Sequence, residues 1–194
     1  MMRSLRTGIA VALALFVSSS LQAGLLPVSA TSIPMGDTTR FAYGIVLTSD
    51  SVLKPGDYFT VYDFAGYVPG SASAVEGFSF SSAGLGRTSS NLTPIDNPAI
   101  GNLTWTYTGT DPIVGQVGLG TFMASTSLTG QSIGDFTART HRLIDGRVDN
   151  NITDTRIPVP NTDPQTPEPA SLLMAGIGLP ILGGLRYLRK KKQI

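Results

Sequence analysis

Residues 102–108 read NLTWTYT, a stretch in which large apolar side chains alternate with polar ones. This period of two is typical of a β-strand that buries one face, because successive side chains point to opposite sides of a sheet. Leu103, Trp105 and Tyr107 are therefore expected to share the core side of such a strand. The chain has a single tryptophan, and its apolar neighbours on that face predict a core position for it.

Five other segments show the same alternation and are rich in aromatic, β-branched and threonine residues. They are Phe41–Thr48 (FAYGIVLT), Asp57–Phe64 (DYFTVYDF), Val75–Phe80, Gln116–Thr126 and Ile133–Thr140. Turn signals containing proline and glycine lie between them, and no segment shows a long period of 3.6 residues. The intervening Thr104 and Thr106 are expected to face water. This pattern predicts an all-β fold, an antiparallel β-sandwich over residues 24–160.

Composition excludes several classes of site. Charged residues are 14% of the chain, below the roughly 25% of ordinary soluble domains, and glycine is frequent, with 22 residues. Residues 24–166 contain seven basic and twelve acidic side chains, so this part of the chain is acidic. Surfaces that bind nucleic acid are basic, so no nucleic-acid partner is expected. Because the chain has no cysteine, it has no disulfide, thiolate metal site or cysteine nucleophile.

Residues 1–23 have the parts of a secretory signal peptide. Two arginines form a positive start, an apolar run of about ten residues follows, and a small residue, Ala23, ends the segment. The run is too short to cross about 30 Å of hydrocarbon. We expect signal peptidase, acting with the secretion machinery, to cleave between Ala23 and Gly24, with cleavage after Ala30 as the alternative.

Residues 161–194 differ in composition from the domain before them. A proline-rich segment comes first, and proline favours an extended, accessible linker. An uncharged apolar run follows, and a helix over about 170–188 would be long enough to cross a bilayer as a single transmembrane helix. Pro180 lies inside this run and should kink the helix.

A cluster of basic residues ends the chain, with a basic tail at 189–192. The whole cluster comprises Arg186, Arg189, Lys190, Lys191 and Lys192, and its last four residues form the basic tail. Basic residues that flank a membrane span remain on the cytoplasmic side, so the tail is expected inside and the domain outside. A plain C-terminal membrane anchor would have the same features.

The order of these parts is specific. Pro167, Glu168 and Pro169 are followed by the apolar helix and then by the basic tail, at the extreme C-terminus of a chain that begins with a signal peptide. This arrangement resembles the PEP-CTERM sorting signal of Gram-negative bacteria and covers roughly residues 165–194.

The resemblance implies that an exosortase, a membrane cysteine peptidase, recognises Pro167-Glu168-Pro169 and removes the helix and tail. It also implies an inner-membrane intermediate, followed by export to the cell surface or an extracellular matrix. Such proteins are common in organisms that make exopolysaccharide. The extended proline segment would present the signal at the membrane face, within reach of a membrane-embedded protease.

Residues suited to catalysis or metal binding are few between the two ends. His141 is the only histidine, and a lone histidine in a polar stretch is usually a surface side chain; no Gly-x-Ser-x-Gly motif occurs. The segment 145–154 contains Asp145, Asp149 and Asp154, oxygen ligands of the kind calcium prefers, but it lacks EF-hand spacing. It is read as a solvated polar loop, with calcium binding as the alternative, and no cofactor is expected.

These observations favour a non-enzymatic, exported protein with a structural or adhesive role. A carbohydrate-binding module that engages exopolysaccharide is the alternative, with Tyr43, Tyr67 or Tyr107 as candidate stacking rings. A secreted hydrolase is a third hypothesis, disfavoured by the small number of catalytic groups.

Overall fold

The computed structural model describes residues 24–73 and 75–161. Every regular element in these residues is a β-strand. The strands are β1 (Leu25–Met35), β2 (Thr38–Leu47), β3 (Ser51–Leu53), β4 (Tyr58–Val61), β5 (Phe78–Ala83), β6 (Asn102–Tyr107), β7 (Ile113–Val114), β8 (Val117–Thr126), β9 (Gly130–Arg142) and β10 (Val148–Val159).

The strands form two sheets, and every pairing is antiparallel. The smaller sheet has the order β1-β2-β8. The larger has the order β5-β6-β4-β9-β3-β7, with β10 paired along the other edge of β9. The prediction of an antiparallel all-β fold is therefore confirmed, and each of the six segments with period two contains a strand.

The apolar inner faces of the two sheets meet in one core. Phe122 on β8 of the smaller sheet contacts aromatic rings of the larger sheet, with centroids 4.9 Å from Phe59 and 5.8 Å from Trp105. Leu103, Trp105 and Tyr107 share this inner face and are buried, as the sequence predicted. Sheets that pack face to face in this way are consistent with a β-sandwich.

The sequence pattern did not predict β1 and β10, which lie at sheet edges. Each pairs with only one neighbour, so each tolerates proline, and Pro158 is a residue of β10. The inward positions of β10 include Asn151 and Thr155, both buried and polar. Polar residues at inward positions hide the apolar alternation on which strand prediction depends.

The predicted signal peptide at 1–23 and the predicted membrane helix at about 170–188 lie outside the described residues. Within 24–73 and 75–161, no helix is long and apolar enough to cross a membrane.

Replacing Trp105 with Ala should destabilise the domain by about 3–5 kcal/mol, the usual cost of removing a large buried aromatic side chain. The ring is fully buried, stacks on Phe59 at 5.2 Å, and its indole N–H donates to the Ser73 carbonyl at 3.1 Å. Urea unfolding followed by far-UV circular dichroism measures the loss. Leu85→Ala, at a side chain 73% exposed, is the control and should change stability by less than about 0.5 kcal/mol. Equal effects of the two substitutions would contradict the core assignment.

Candidate functional site: a covering loop and its polar cleft

The outer face of the larger sheet is polar, and its centre is buried. Thr60 on β4 lies opposite Thr104 on β6 and Thr137 on β9, and all three are buried. The hydroxyls of Thr60 and Thr104 hydrogen-bond each other at 2.9 Å. The expectation that Thr104 faces water is therefore wrong, and Thr106 is half-buried. The reason is that another part of the chain covers this face.

Residues 84–101, which we call the covering loop, connect β5 to β6 across this outer face. The loop has neither helix nor strand along its eighteen residues. Loops of more than about 12–15 residues without secondary structure are uncommon in compact domains, and when ordered they usually carry function. The covering loop is therefore a candidate functional element of the domain.

The middle of the covering loop is held by hydroxyl groups of the sheet. Thr60 Oγ1 donates to the Arg87 carbonyl at 2.9 Å, and the Tyr62 hydroxyl lies 3.2 Å from the same oxygen and contacts the Thr88 hydroxyl. Burial raises the pKa of Tyr62, whereas its hydrogen bonds to Thr137 and Thr88 act in the opposite direction. At neutral pH the phenol is therefore protonated and available as a donor.

Carboxylates and an amide hold the second half of the loop. The backbone N–H of Ile95 donates to Asp135 Oδ2 at 2.6 Å, and that of Asn97 donates to Asp63 Oδ1 at 2.9 Å. Asn102 Nδ2 donates to Asp96 Oδ1 at 2.9 Å. Hydrogen bonds to charged groups are among the stronger ones, so these contacts fix the loop on the sheet.

A polar cleft of about 320 Å³ lies where the covering loop meets β4, β9 and β10. Its volume is at the lower end of the range for small-molecule sites. The lining side chains are mostly hydrogen-bond donors or acceptors. They are Tyr58, Arg87, Thr88, Ser89, Ser90, Arg139, Val148 and Asn150.

Arg87 is held in position over an aromatic ring. Its guanidinium carbon lies 4.1 Å from the centroid of the Tyr58 ring, a cation–π contact, and its Nη1 donates to Thr106 Oγ1 at 3.2 Å. The Tyr58 hydroxyl hydrogen-bonds Ser89 Oγ at 3.1 Å. This leaves most of the guanidinium donors of Arg87 directed to the cleft or to solvent, since a guanidinium carries five N–H groups.

The second arginine of the cleft, Arg139, lies beside a buried acid. Arg139 Nε lies 3.7 Å from Asp57 Oδ1, beyond hydrogen-bond distance, and is buried without a hydrogen-bond partner. Asp57 is only 1% exposed and accepts from the Lys54 backbone N–H at 2.8 Å. It also pairs with His141 Nδ1 at 3.0 Å. Asp57 therefore lies between Arg139 and His141 and contacts both side chains.

His141 is thus not the surface side chain that its polar neighbours suggested, because its side chain is only 16% exposed. In the described part of the chain its one hydrogen-bonding partner is Asp57. No serine hydroxyl within residues 24–73 and 75–161 contacts it, so these residues do not assemble a Ser–His–Asp triad.

The three aspartates considered for calcium do not converge. Asp145 lies in the turn between β9 and β10, where Arg142 and Arg147 lie 3.5 and 3.7 Å from its Oδ2. Asp149 and Asp154 are residues of β10, paired with β9. The prediction of one continuous loop over 145–154 is therefore wrong, and within the described residues no three acidic or histidine side chains form a metal-binding group.

Two of the tyrosines considered for sugar stacking are unavailable. Tyr43 is fully buried, with its hydroxyl donating to the Arg156 carbonyl at 2.9 Å, and Tyr107 is 6% exposed. Tyr67 is half-buried against Phe64 and Phe80.

The sequence did not single out Arg87 and Arg139, because one is in a loop and the other in a distant strand, with no local motif.

The predicted sorting residues Pro167–Pro169, the basic cluster from Arg186 to Lys192 and Ala23 lie outside the described residues. Gly24 lies within them, immediately before β1.

No protein-family model matches the chain, and no curated protein sequence matches it.

Replacing Gly86 with Ala should displace the covering loop, because a Cβ at Gly86 would overlap the buried ring of Tyr62. We expect a loss of about 1–3 kcal/mol in unfolding free energy, as for other overpacked sites. Faster amide hydrogen exchange of residues 86–97 should accompany it. Gly101→Ala is the matched control in the same loop, since nothing lies within 4 Å of its added Cβ. If both variants exchange like the original protein, the loop is not held by the Tyr62 contact.

Proposed function

We propose that this chain is an exported precursor that an exosortase sorts through its C-terminal Pro-Glu-Pro signal. The observation that carries the proposal is the order of the sequence elements: a signal peptide, a domain, Pro167-Glu168-Pro169, an apolar segment and a basic cluster. A plain anchor needs no such tripeptide. Signal peptidase and the secretion machinery would act on the N-terminal signal. The membrane would hold the C-terminal apolar segment, and exosortase would act on the tripeptide.

The limits of the domain support this order. β1 begins at Leu25 and β10 ends at Val159, so the two predicted processing signals lie before the first and after the last described strand. A peptidase that acts at Pro167–Pro169 would therefore leave all ten described strands intact. The fold and the two signals are compatible in one chain.

Cleavage between Ala23 and Gly24 fits the domain better than cleavage after Ala30. Leu25 is fully buried in the core, and residues 25–30 are the first half of β1. Loss of this half would remove Leu25 from the core and unpair the end of β2, whose Leu47 lies opposite Leu25.

For the mature domain we propose a non-enzymatic structural or adhesive role at the cell surface or in the extracellular matrix. The lone histidine is engaged with Asp57, and the hydroxyls of the outer sheet face are used to hold the covering loop. These groups maintain structure, which is the requirement for a durable matrix component without disulfides.

Replacing Pro167, Glu168 and Pro169 together with Ala should leave translocation intact but trap the protein in the membrane, because the apolar segment still anchors it. Fractionation and intact-mass analysis of released and membrane-bound protein measure this. Pro164→Ala, in the same proline-rich segment but outside the tripeptide, is the matched control and should be processed normally. Unchanged release of the triple variant would refute the sorting signal.

The polar cleft favours a second candidate function, the binding of acidic carbohydrate. Arg87 and Arg139 offer guanidinium donors suited to a carboxylate, and the nearby Ser, Thr and Asn side chains suit sugar hydroxyls. A uronic-acid unit of an exopolysaccharide has both kinds of group. The site is local, since the domain as a whole is acidic.

Substituting Arg87 with Gln should weaken binding of an oligouronate by at least about tenfold, the effect of losing one charged hydrogen bond. Isothermal titration calorimetry measures it. Arg147→Gln makes the same charge change on a side chain 80% exposed outside the cleft, and should leave the affinity nearly unchanged. Equal losses in both variants would mean that binding is non-specific electrostatic attraction, and absence of binding in the original protein would eliminate the carbohydrate function.

A further inference from the structure

Gly24 is held in the domain by hydrogen bonds. It is buried, its backbone N–H donates to Thr48 Oγ1 at 2.9 Å, and its carbonyl accepts from the Thr48 N–H at 3.0 Å. These two bonds attach the residue before β1 to the residue after β2. The first residue after the predicted signal peptide is therefore built into the fold.

Two polar atoms around Gly24 lack partners. Asn151 Oδ1 and Thr140 Oγ1 are buried without a hydrogen bond, two of only four such side-chain atoms in the described residues. A Cβ placed on Gly24 would overlap the first and lie 3.5 Å from the second. Buried polar atoms in native proteins are nearly always hydrogen-bonded, so a pair of orphans at one residue calls for a missing donor.

The direction of the Asn151 amide is set by another bond. Asn151 Nδ2 donates to the Leu25 carbonyl at 2.9 Å, so the amide cannot rotate without losing that contact. Its oxygen consequently stays against Gly24. This acceptor is therefore preorganised, since it already has the orientation that a bound donor would need.

Signal-peptide cleavage would supply the donor. Hydrolysis of the Ala23–Gly24 bond adds the elements of water, with hydroxyl going to the Ala23 carbonyl carbon and hydrogen to the Gly24 nitrogen. The peptide nitrogen has one N–H, which Thr48 already accepts. The freed amine, once protonated, has three.

We propose that the α-ammonium of Gly24, formed by signal-peptide cleavage, is a structural group of the mature domain, bound by Thr48 Oγ1 and Asn151 Oδ1. This inference rests on the export part of the proposed function. Thr48 Oγ1 also donates to Asp50 Oδ1 at 3.0 Å, so one hydroxyl connects the ammonium to a carboxylate. The positive charge thus has an anionic partner near the surface.

The same geometry explains why the first mature residue is glycine. Gly24 has a φ of +119°, a region that residues with a Cβ rarely adopt, and any Cβ would occupy the place of Asn151 Oδ1. A side chain here would prevent the amine from reaching the amide oxygen.

Three forms of the chain ending at Ile194, studied in detergent, test the proposal. One begins at Gly24 with a free amine, the second retains Ala23, and the third begins at an Nα-acetylated Gly24. We expect the free-amine form to unfold at a Tm at least about 3 °C above the other two. Equal Tm values for the three forms would overturn the proposal.

A substitution at the acceptor gives the decisive comparison. In Asn151→Ala chains the difference in Tm between free and extended ends should disappear, whereas in Asn91→Ala chains, changed at an exposed asparagine, it should persist. If Asn151→Ala does not fold, Thr48→Val takes its place with the same expectation. Persistence of the difference in the acceptor variant would also overturn the proposal.

Failure of this inference and failure of the sorting proposal give different results. A secreted protein whose mass shows a first residue other than Gly24 refutes the ammonium site and leaves exosortase processing untouched. Conversely, the Tm difference does not depend on Pro167–Pro169, so it supports the ammonium site whatever the fate of the triple Ala variant.

Discussion

Contact between aromatic rings of the two sheets is the interaction on which the rest of this domain depends. Phe122 of the smaller sheet lies edge-on to Phe59 and Phe78 of the larger, with centroids 4.9 Å apart in both pairs, and Trp105 packs beside them. With no disulfide available, burial of such rings is the main term that holds one sheet against the other.

The inner face of β4 packs in the aromatic core. Its outer face is shielded from water by polar contacts with the covering loop. All four residues of β4 are buried, whereas an antiparallel strand usually keeps one wet face. The covering loop replaces water there with hydrogen bonds to threonine, tyrosine and carboxylate groups. Because Thr60 and Tyr62 hold the Arg87 backbone, they also determine where its guanidinium enters the cleft.

Alternation predicted strands well where apolar residues mark the buried face, as around Trp105, and it failed where polar residues are buried. Thr104 was expected in water because a hydroxyl usually faces it, yet a distant loop supplies its surroundings. The sequence predicts a polar loop over 145–154 because oxygen-bearing side chains dominate it, yet β10 begins at Val148 and buries Asn151 at an inward position. The cleft joins Arg87 and Arg139 across strand pairings that no local pattern encodes, so only the three-dimensional register reveals it.

The bond from Asn151 to the Leu25 carbonyl joins the last strand to the first, and the two residues are 126 positions apart. Under the export route proposed above, a chain that leaves a translocation channel N-terminus first would need nearly the whole domain outside the channel before this contact could form. Such non-local contacts make folding slow, because the chain loses the entropy of bringing its ends together before any stabilising contact forms between them. A C-terminus still held in the membrane would keep each unfinished molecule separate from others in solution, and would give it time to fold before release.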